Sequence, residues 1–332
     1  MTVDVQAPAL VPPRPPSPMA RCAVSIVVPS LNEAESLPEL AKRIEATLGD
    51  RGLQEDYEVI FVDDGSTDDS WKVMCALNRD DPRVRGLRLR SNFGKAMALT
   101  TGFAEARGEI VLMMDADLQD DPADLPAFIE KIRSGLDVVV GWKVKRQDPL
   151  SRRVASRIFN GTVGYFTRVR LHDMNCGFKA YRREVIETIP VYGDLFRFIP
   201  ALAASEGFKV AEVPVNHHAR AHGRSRYGLE RITRGFFDLL SVLFLTRYAR
   251  RPMHLFGLMG LFTGLCGSAI AAYLTGLWLL GESIGSRPLL LLSVMLMVMG
   301  VQLGSLGLIG EFLTYQNQKH RMAEKLPVRN RT

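Results

Sequence analysis

In the stretch "VLMMDADLQDDP" (111–122) four apolar residues run into Asp115, Asp117, Asp120 and Asp121, with only Ala116, Leu118 and Gln119 among them. Like charges this close repel, and each resists leaving water. In a chain of net charge +6 such crowding predicts a positive partner. Asp-x-Asp at a strand end projects two carboxylates from the rim of a sheet, where a hard divalent cation finds oxygen ligands. Mg²⁺ takes one or two carboxylates, waters and substrate phosphate oxygens rather than a closed protein cage. Asp115 and Asp117 therefore predict a metal and a phosphate-bearing ligand together. Such pairs also occur at ordinary solvated turns and helix caps, so the prediction needs support from elsewhere in the chain. Asp120 and Asp121 stand before Pro122 and the helical pattern "PADLPAFIEKI", where both are expected to meet the positive end of that helix.

The complement lies in "RAHGRSRYG" (220–228), where Arg220, Arg224 and Arg226 surround Gly223. Arginine suits bidentate phosphate oxygens and stabilises negative charge on a departing diphosphate. The same loop could equally contact anionic lipid. Arg152, Arg153 and Arg157 are candidates to hold a lipid phosphate, with a solvated basic helix face as the alternative.

Strand and helix patterns alternate from Cys22 onward and would position these groups. "AVSIVVP", "YEVIFVDDGS", "VRGLRLR", "GEIVLMM" and "LDVVVGW" read as five strands. "EAESLPELAKRIEATLG", "TDDSWKVMCALNRD" (opened by Ser66 or Thr67), "GKAMALTTGFAEAR" and "PADLPAFIEKIRSG" read as the helices between them. Alternation with all-apolar strands predicts an α/β domain whose mostly parallel sheet is covered on both faces. Ligands bind such sheets beyond the carboxyl ends of the strands. Polar residues collect there: Asn32 and Glu33, Asp63 and Asp64, Asn92 and Lys95, Asp115 and Asp117, and Lys143.

Beyond residue 250 the composition changes. Met253 to Gly281 and Pro288 to Gly310 are almost free of charge, and each exceeds the ~20 apolar residues that cross a hydrocarbon core. Arg247, Arg250 and Arg251 precede the first span and Lys319, His320, Arg321, Lys325, Arg329 and Arg331 follow the second. The turn "ESIGSR" carries only Glu282 and Arg287. The positive-inside rule then puts both termini in the cytoplasm. Between domain and spans, Ile232, Phe236, Leu239, Leu240, Leu243 and Phe244 form an apolar stripe, expected either to lie in the membrane interface or to pack on protein. Six prolines within residues 1–20 predict an extended leader, without a convincing signal peptide. Basic residues crowd near the spans and the 220s loop, which argues for membrane surface and phosphate ligands and against nucleic acid. Cys22, Cys75, Cys176 and Cys266 lack metal-ligand spacing and read as free thiols.

The expected organisation is thus a leader (1–20), a catalytic domain (21–228), a juxtamembrane helix (229–252), spans at 253–281 and 288–310, and a basic tail (311–332). "SIVVPSLNE", "VIFVDDGSTDDS", "NFGKAMALTTGF", "DADLQDDP", "CGFKAYRREV" and "RAHGRSRYG" occur in that order before the hairpin. This ordered set resembles family 2 glycosyltransferases of the polyprenyl-phosphate type, over about residues 22 to 315. The resemblance implies a GT-A, Rossmann-like catalytic domain and transfer of one sugar from a nucleotide sugar to polyprenyl (undecaprenyl) phosphate. UDP-glucose is the favoured donor, GDP-mannose the next, and a UDP-amino sugar or formamido-arabinose donor the alternative.

By motif, Pro29, Leu31 and Glu33 would line the nucleotide pocket, Asp64 would bind the base with Asp63 adjacent, and Ala116 and Lys143 would contact the donor. Asp115, Asp117 and Gln119 would hold Mg²⁺ or Mn²⁺. Arg220 and Arg226 would grip phosphates, and Asp173 would stand near the acceptor. Lys143 occupies a position that is often Arg in similar proteins, keeping charge but losing the planar fork. The resemblance further implies a multi-pass protein of a bacterial-type inner membrane, with its catalytic domain cytoplasmic, and a possible homo-oligomer. Two other readings compete. A processive polysaccharide synthase would carry Gln-x-x-Arg-Trp, a context that Trp71, Trp142 and Trp278 do not provide. A non-catalytic membrane adaptor would have no reason to keep Asp115, Asp117, Arg220 and Arg226 together.

Overall fold

The computed structural model describes residues 22–50, 56–144, 161, 164, 171–189, 193–218, 244, 248, 251–285 and 287–324. The leader, Arg152, Arg153, Arg157, the loop bearing Arg220 and Arg226, and nearly all of the juxtamembrane segment lie outside the described residues. The chain divides into two compact units, 1–242 and 243–332.

The first unit is built on seven strands: β1 (Val24–Ser30), β2 (Tyr57–Asp63), β3 (Val84–Arg88), β4 (Ile110–Met113), β5 (Val138–Lys143), β6 (Lys179–Arg182) and β7 (Val210–Val215). Their order is β3-β2-β1-β4-β6-β5-β7. Every residue of β1, β2 and β4 is buried, as the continuous apolar runs require of strands covered on both faces. Helices α1 (Leu37–Asp50), α2 (Ser70–Asp80), α3 (Lys95–Glu105) and α4 (Leu125–Arg133) connect the early strands. At Gly102 of α3 a Cβ would lie 2.3 Å from Val27 Cγ1, so the missing side chain lets this helix press onto β1.

The five expected strands are present, and β6 and β7 are additions. β6 runs antiparallel to both β4 and β5, whereas the remaining pairs are parallel. Its first residue therefore lies at the edge where the parallel strands end. Two helix starts also differ from expectation. α1 begins at Leu37 rather than Glu33, because the preceding stretch is a turn in which the Ser36 hydroxyl donates to the Glu33 carbonyl and carboxylate. α2 begins at Ser70, and neither Ser66 nor Thr67 caps it. Ser66 Oγ accepts the Asn32 amide, and Asp68 accepts the Ser70 amide and hydroxyl. These side chains build the site's turns instead.

The second unit contains two helices, Pro252–Leu279 and Pro288–Glu324, whose apolar stretches of 28 and 29 residues are long enough to cross a membrane. The latter helix continues beyond Gly310, through the start of the expected tail, to Glu324. The pair forms a hairpin with a glycine seam: a Cβ at Gly260 would fall 2.6 Å from the Gly300 carbonyl oxygen, and one at Gly267 2.8 Å from that of Ser293. Small residues that admit such backbone approach are what packing in lipid requires. The Met253 amide, one of the unpaired donors at a helix start, donates to Glu311 Oε2 at 3.3 Å.

Gly260→Leu must separate the two backbones, and we expect it to cost about 1–3 kcal/mol as overpacking. It should lower the thermal midpoint of the detergent-solubilised protein. Gly276→Leu, where a side chain would meet nothing within 4 Å, should leave the midpoint unchanged. Equal midpoints for both variants would refute the seam.

Candidate active site

The parallel strands end on one rim, and the chain turns sharply beyond β1 and β4. Two non-glycine residues there have left-handed backbones, Asn32 (φ 57°) after β1 and Leu118 (φ 60°) after β4. Such strain persists where surrounding structure over-determines it, and it concentrates at functional sites. Asn32 is held by its side-chain oxygen, which accepts the Thr67 amide at 2.9 Å. Leu118 is buried, and Asp117 Oδ1 accepts the Gln119 amide across it at 3.2 Å. The Asp-Ala-Asp-Leu-Gln turn is thus a fixed loop that presents Asp115, Asp117 and Gln119 within five residues.

The antiparallel β6 completes this loop's surroundings. Lys179 pairs with Met113, and continuing that register by two residues sets Gly177 opposite Asp115. A Cβ at Gly177 would lie 2.7 Å from Asp115 Oδ2. The segment after β7 closes another side. Asp120 and His217 form an isolated bridge, the His218 amide donates to the Gln119 carbonyl at 2.9 Å, and His218 Nε2 lies 3.0 Å from Asp121 Oδ2. The chain next enters the basic loop, so the root of that loop is tied to the Asp-rich turn.

Asp120 departs from its expected role. Asp121 alone caps the helical turn Pro122–Asp124, accepting the Ala123 amide at 3.0 Å. Asp120 is 2% exposed and pairs with Lys143 at 3.3 Å. Burial pushes its carboxyl up to about 6, with Lys143 pulling it back and Asp115 and Asp117 adding to the rise. Burial also pulls on the Lys143 ammonium, downward, but Asp120, Cys176 and Asp115 reverse this and leave the net shift upward. Asp120 holds its proton more tightly mainly because it is buried, and Lys143 because Asp120, Cys176 and Asp115 make the field around it negative. A cation is what such a field favours.

Cationic groups also reach the rim from α3 and β6. The Lys95 ammonium bonds to Asp115 and lies 5.5 Å from the centre of the Phe196 ring. Lys179, 1% exposed, donates to the Arg197 carbonyl at 3.0 Å, and burial pulls it down to about 8. Burial pushes the Cys176 thiol up to about 12, which makes it a neutral packing group rather than a nucleophile.

Of the other expected site residues, those that are described follow the strand ends or lie on loops beside them, several already engaged. Pro29 is buried within β1, Leu31 and Glu33 follow it half-buried, and the Glu33 amide donates to Ser70 Oγ at 2.9 Å. Asp63 is fully buried, accepts the Ser66 amide at 2.8 Å and pairs with Arg88 at 3.2 Å. Asp64 accepts the Phe93 and Gly94 amides at 2.8 and 2.9 Å, and burial raises its carboxyl above the usual range. Both carboxylates therefore order the loops that follow β2 and β3. Ala116 is buried between Asp115 and Asp117. Asp173 is buried on a loop whose His172 and Asp173 amides donate to Glu212 Oε1 at 2.6 and 3.1 Å. His172 stacks on Trp142 with ring centres 4.3 Å apart. Sequence reading gave no role to Gly177, Lys179 or Phe196. For Gly177 and Lys179 the signal lay in "CGFKAYRREV", but it becomes geometric only once β6 is known to be antiparallel; Phe196, on the helical turn Gly193–Phe198, carried none.

Two carboxylates and an amide oxygen make a hard, incomplete donor set, which suits a divalent cation sharing waters and phosphate oxygens. Among the described residues no group of three His, Cys, Asp or Glu side chains is placed to hold a metal ion by itself. The Lys95 ammonium already pairs with Asp115.

The Glycosyl transferase family 2 model matches residues 25–189. The chain is 38% identical over 302 residues to a dodecaprenyl-phosphate galacturonate synthase from Rhizobium johnstonii, covering 89% of each protein. It is 37% identical over 298 residues to an undecaprenyl-phosphate 4-deoxy-4-formamido-L-arabinose transferase from Pseudomonas aeruginosa, covering 87% of this chain and 84% of that protein. Its fold matches glucosyl-3-phosphoglycerate synthase from Mycobacterium tuberculosis, solved with Mn²⁺, UDP and glucosyl-3-phosphoglycerate. There the TM-score is 0.53 at 22% identity, covering 68% of this chain and 80% of that one. The sheet with its flanking helices is accordingly a GT-A-like catalytic fold, followed by two apolar helices. With these relatives matched across both units, the chain belongs to the family 2 glycosyltransferases, of the polyprenyl-phosphate type.

Proposed function

We propose that this enzyme transfers a single sugar from a nucleotide sugar to polyprenyl phosphate at the cytoplasmic face of the membrane, with inversion at the anomeric carbon. The observation that carries the reading is the joint presence of the Asp115/Asp117 turn and the apolar hairpin in a chain matched over 89% of its length by a dodecaprenyl-phosphate galacturonate synthase. On residues alone the donor order was UDP-glucose, then GDP-mannose. The relatives' names move galacturonate and formamido-arabinose ahead of both.

Asp115, Asp117 and Gln119 would hold Mg²⁺ or Mn²⁺, which when bound supplies positive charge to the donor diphosphate. Pro29, Leu31, Glu33 and the loops ordered by Asp63 and Asp64 form the nucleotide side, while Ala116 and Lys143 face the donor. A phosphomonoester is already anionic near neutral pH, its second pKa being ~6, so the acceptor needs no strong general base. Its oxygen attacks sugar C1 opposite the leaving nucleoside diphosphate, and the C1–O bond to that diphosphate breaks with its electron pair. Arg220 and Arg226 take up the charge that develops there. Arg152, Arg153 and Arg157, with Asp173 nearby, are assigned to the acceptor phosphate. The catalytic domain and both termini lie in the cytoplasm of a cell with an inner membrane. Self-association into a homo-oligomer is compatible with the helix pair, and nucleic acid has no place in the reading.

The test is incubation of the detergent-solubilised protein with undecaprenyl phosphate, Mg²⁺ and labelled UDP-galacturonate, UDP-formamido-arabinose, UDP-glucose or GDP-mannose. One donor should give a chloroform-extractable labelled product, and EDTA should abolish it. A panel without product, together with no metal-dependent UDP binding, would favour the non-catalytic adaptor.

A further inference from the structure

Glu212 has no part in the reaction described above, yet its carboxylate is committed to the loop that leads into β6. It stands on β7, which pairs with β5, and its side chain is 12% exposed. Its Oε1 accepts the amides of His172 and Asp173 at 2.6 and 3.1 Å, and its Oε2 lies 2.8 Å from His172 Nδ1. That last contact fits the tautomer with its hydrogen on Nδ1. Three donors then converge on two anionic oxygens, and hydrogen bonds of this charge-assisted kind are the strong ones. The same imidazole stacks on Trp142 with 18° between the rings, and Trp142 immediately precedes Lys143 at the end of β5. The entry of the loop is therefore fastened to β5 and β7 at once.

The fastening reaches Asp115 through the backbone. The Asp173 carbonyl accepts the Cys176 amide at 3.2 Å, so the loop folds back and its anchored entry is bonded to the residue before Gly177. Beyond Gly177, the Phe178 carbonyl accepts the Gly141 amide at 2.9 Å. Gly177 is thus held from both sides at the point where a Cβ would meet Asp115 Oδ2. We propose that Glu212 is a positioning residue of the active site: by holding the two amides it seats the 171–178 loop, and the seated loop fixes the direction in which the Asp115 carboxylate faces. The inference rests on the metal assignment made above. A backbone wall this close leaves Asp115 few side-chain orientations, and a wall that retreats lets it rotate away from Asp117 and Gln119. Catalytic geometry is sensitive on this scale, a displacement near 1 Å costing on the order of a hundredfold.

The experiment measures sugar transfer and Mn²⁺-dependent UDP binding in the full-length protein in detergent micelles, well below the thermal midpoint of every variant. Glu212→Ala takes this acceptor from both amides, and it should lower transfer and weaken UDP binding by roughly tenfold, the scale of a displacement below 1 Å. Glu212→Gln should recover most of both, because its amide oxygen accepts the two backbone amides while its NH₂ donates to the ring in the other tautomer. Glu212→Asp keeps the charge but shortens the reach by one methylene, and it should show an intermediate loss, which preserves the test if Glu212→Ala does not fold. Because Glu212 and Gly177 act on one carboxylate, adding Glu212→Ala to Gly177→Ala should cost little beyond Gly177→Ala alone. A purely structural role for Glu212 would lower the thermal midpoint but give losses that multiply in the double variant, and that result overturns the proposal. So does wild-type transfer and UDP binding in both Glu212→Ala and Glu212→Asp, which leaves the metal assignment standing. Absence of Mn²⁺-dependent UDP binding in the wild type overturns the metal assignment and the inference with it.

Discussion

Asp117→Asn is expected to lower sugar transfer by roughly a thousandfold while the protein stays folded. The size follows from weakening the hold on the divalent cation that would supply positive charge to the departing diphosphate in a partly buried site. The substitution is nearly isosteric, and an amide oxygen at the Asp117 Oδ1 position can still accept the Gln119 amide, so the turn around Leu118 is preserved. What disappears is one negative charge, 6% exposed, beside two others. Burial raises the Asp120 carboxyl first, and Asp115 and Asp117 add to that rise, so the carboxylates of the turn repel one another. The thermal midpoint of Asp117→Asn should therefore be equal to or above that of the wild type, even as catalysis collapses. That opposition is the signature of a site selected for function at the expense of stability. Asp115→Asn should lose comparable activity, but without the gain in midpoint, because it also removes the partner of Lys95. Transfer assays, Mn²⁺-dependent UDP binding and thermal melts on both variants check this. Full activity in either one would end the metal assignment.

How much of this could be read from residues alone depended on whether the signal was local. Four of the five strands and both apolar helices follow from largely apolar runs, because a strand covered on both faces and a helix in lipid each need little else, whereas β3 carries Arg85 and Arg88 and is only partly buried. β6 was not legible. Its four residues, Lys179–Arg182, include two cations and show no alternation, and only contact with β4 and β5 makes them a strand. Everything that the reversal of β6 delivers to the rim was consequently invisible, including the approach of Gly177 to Asp115. The helix starts failed for a related reason. Ser66 has the chemistry of a cap, but its hydroxyl is used by Asn32 across the rim, a partner 34 residues away. Asp120 shows the same limit in electrostatic form: next to Asp121 it looks like a second helix-start charge, and only burial against Lys143 separates the two. In each case a tertiary contact took over a residue whose local preference was plain.

Gly177→Ala is the sharpest test of the geometry that sequence reading missed, and it should reduce transfer by about a hundredfold. Its new methyl would sit 2.7 Å from Asp115 Oδ2 and 3.1 Å from Cγ, too close for either to remain in place. Asp115 follows β4 after Met114, whose amide donates to the Val27 carbonyl, and the residues of β4 are buried and paired on both sides, so its backbone has little freedom to withdraw. The side chain must rotate instead, carrying its oxygens away from Asp117 and Gln119. A displacement near 1 Å in a catalytic group costs on the order of a hundredfold. Lost positioning can be distinguished from a damaged fold by combining the change with Asp115→Asn. If Gly177 acts by holding the Asp115 carboxylate, then Gly177→Ala should cost almost nothing further in the Asp115→Asn background, a strong departure from additivity. Independent losses that multiply in the double variant would mean that Gly177 matters through the 171–178 loop and not through the carboxylate. Mn²⁺-dependent UDP binding gives a second reading of the same contact. It should weaken in Gly177→Ala and be insensitive to that change once the Asp115 charge is gone.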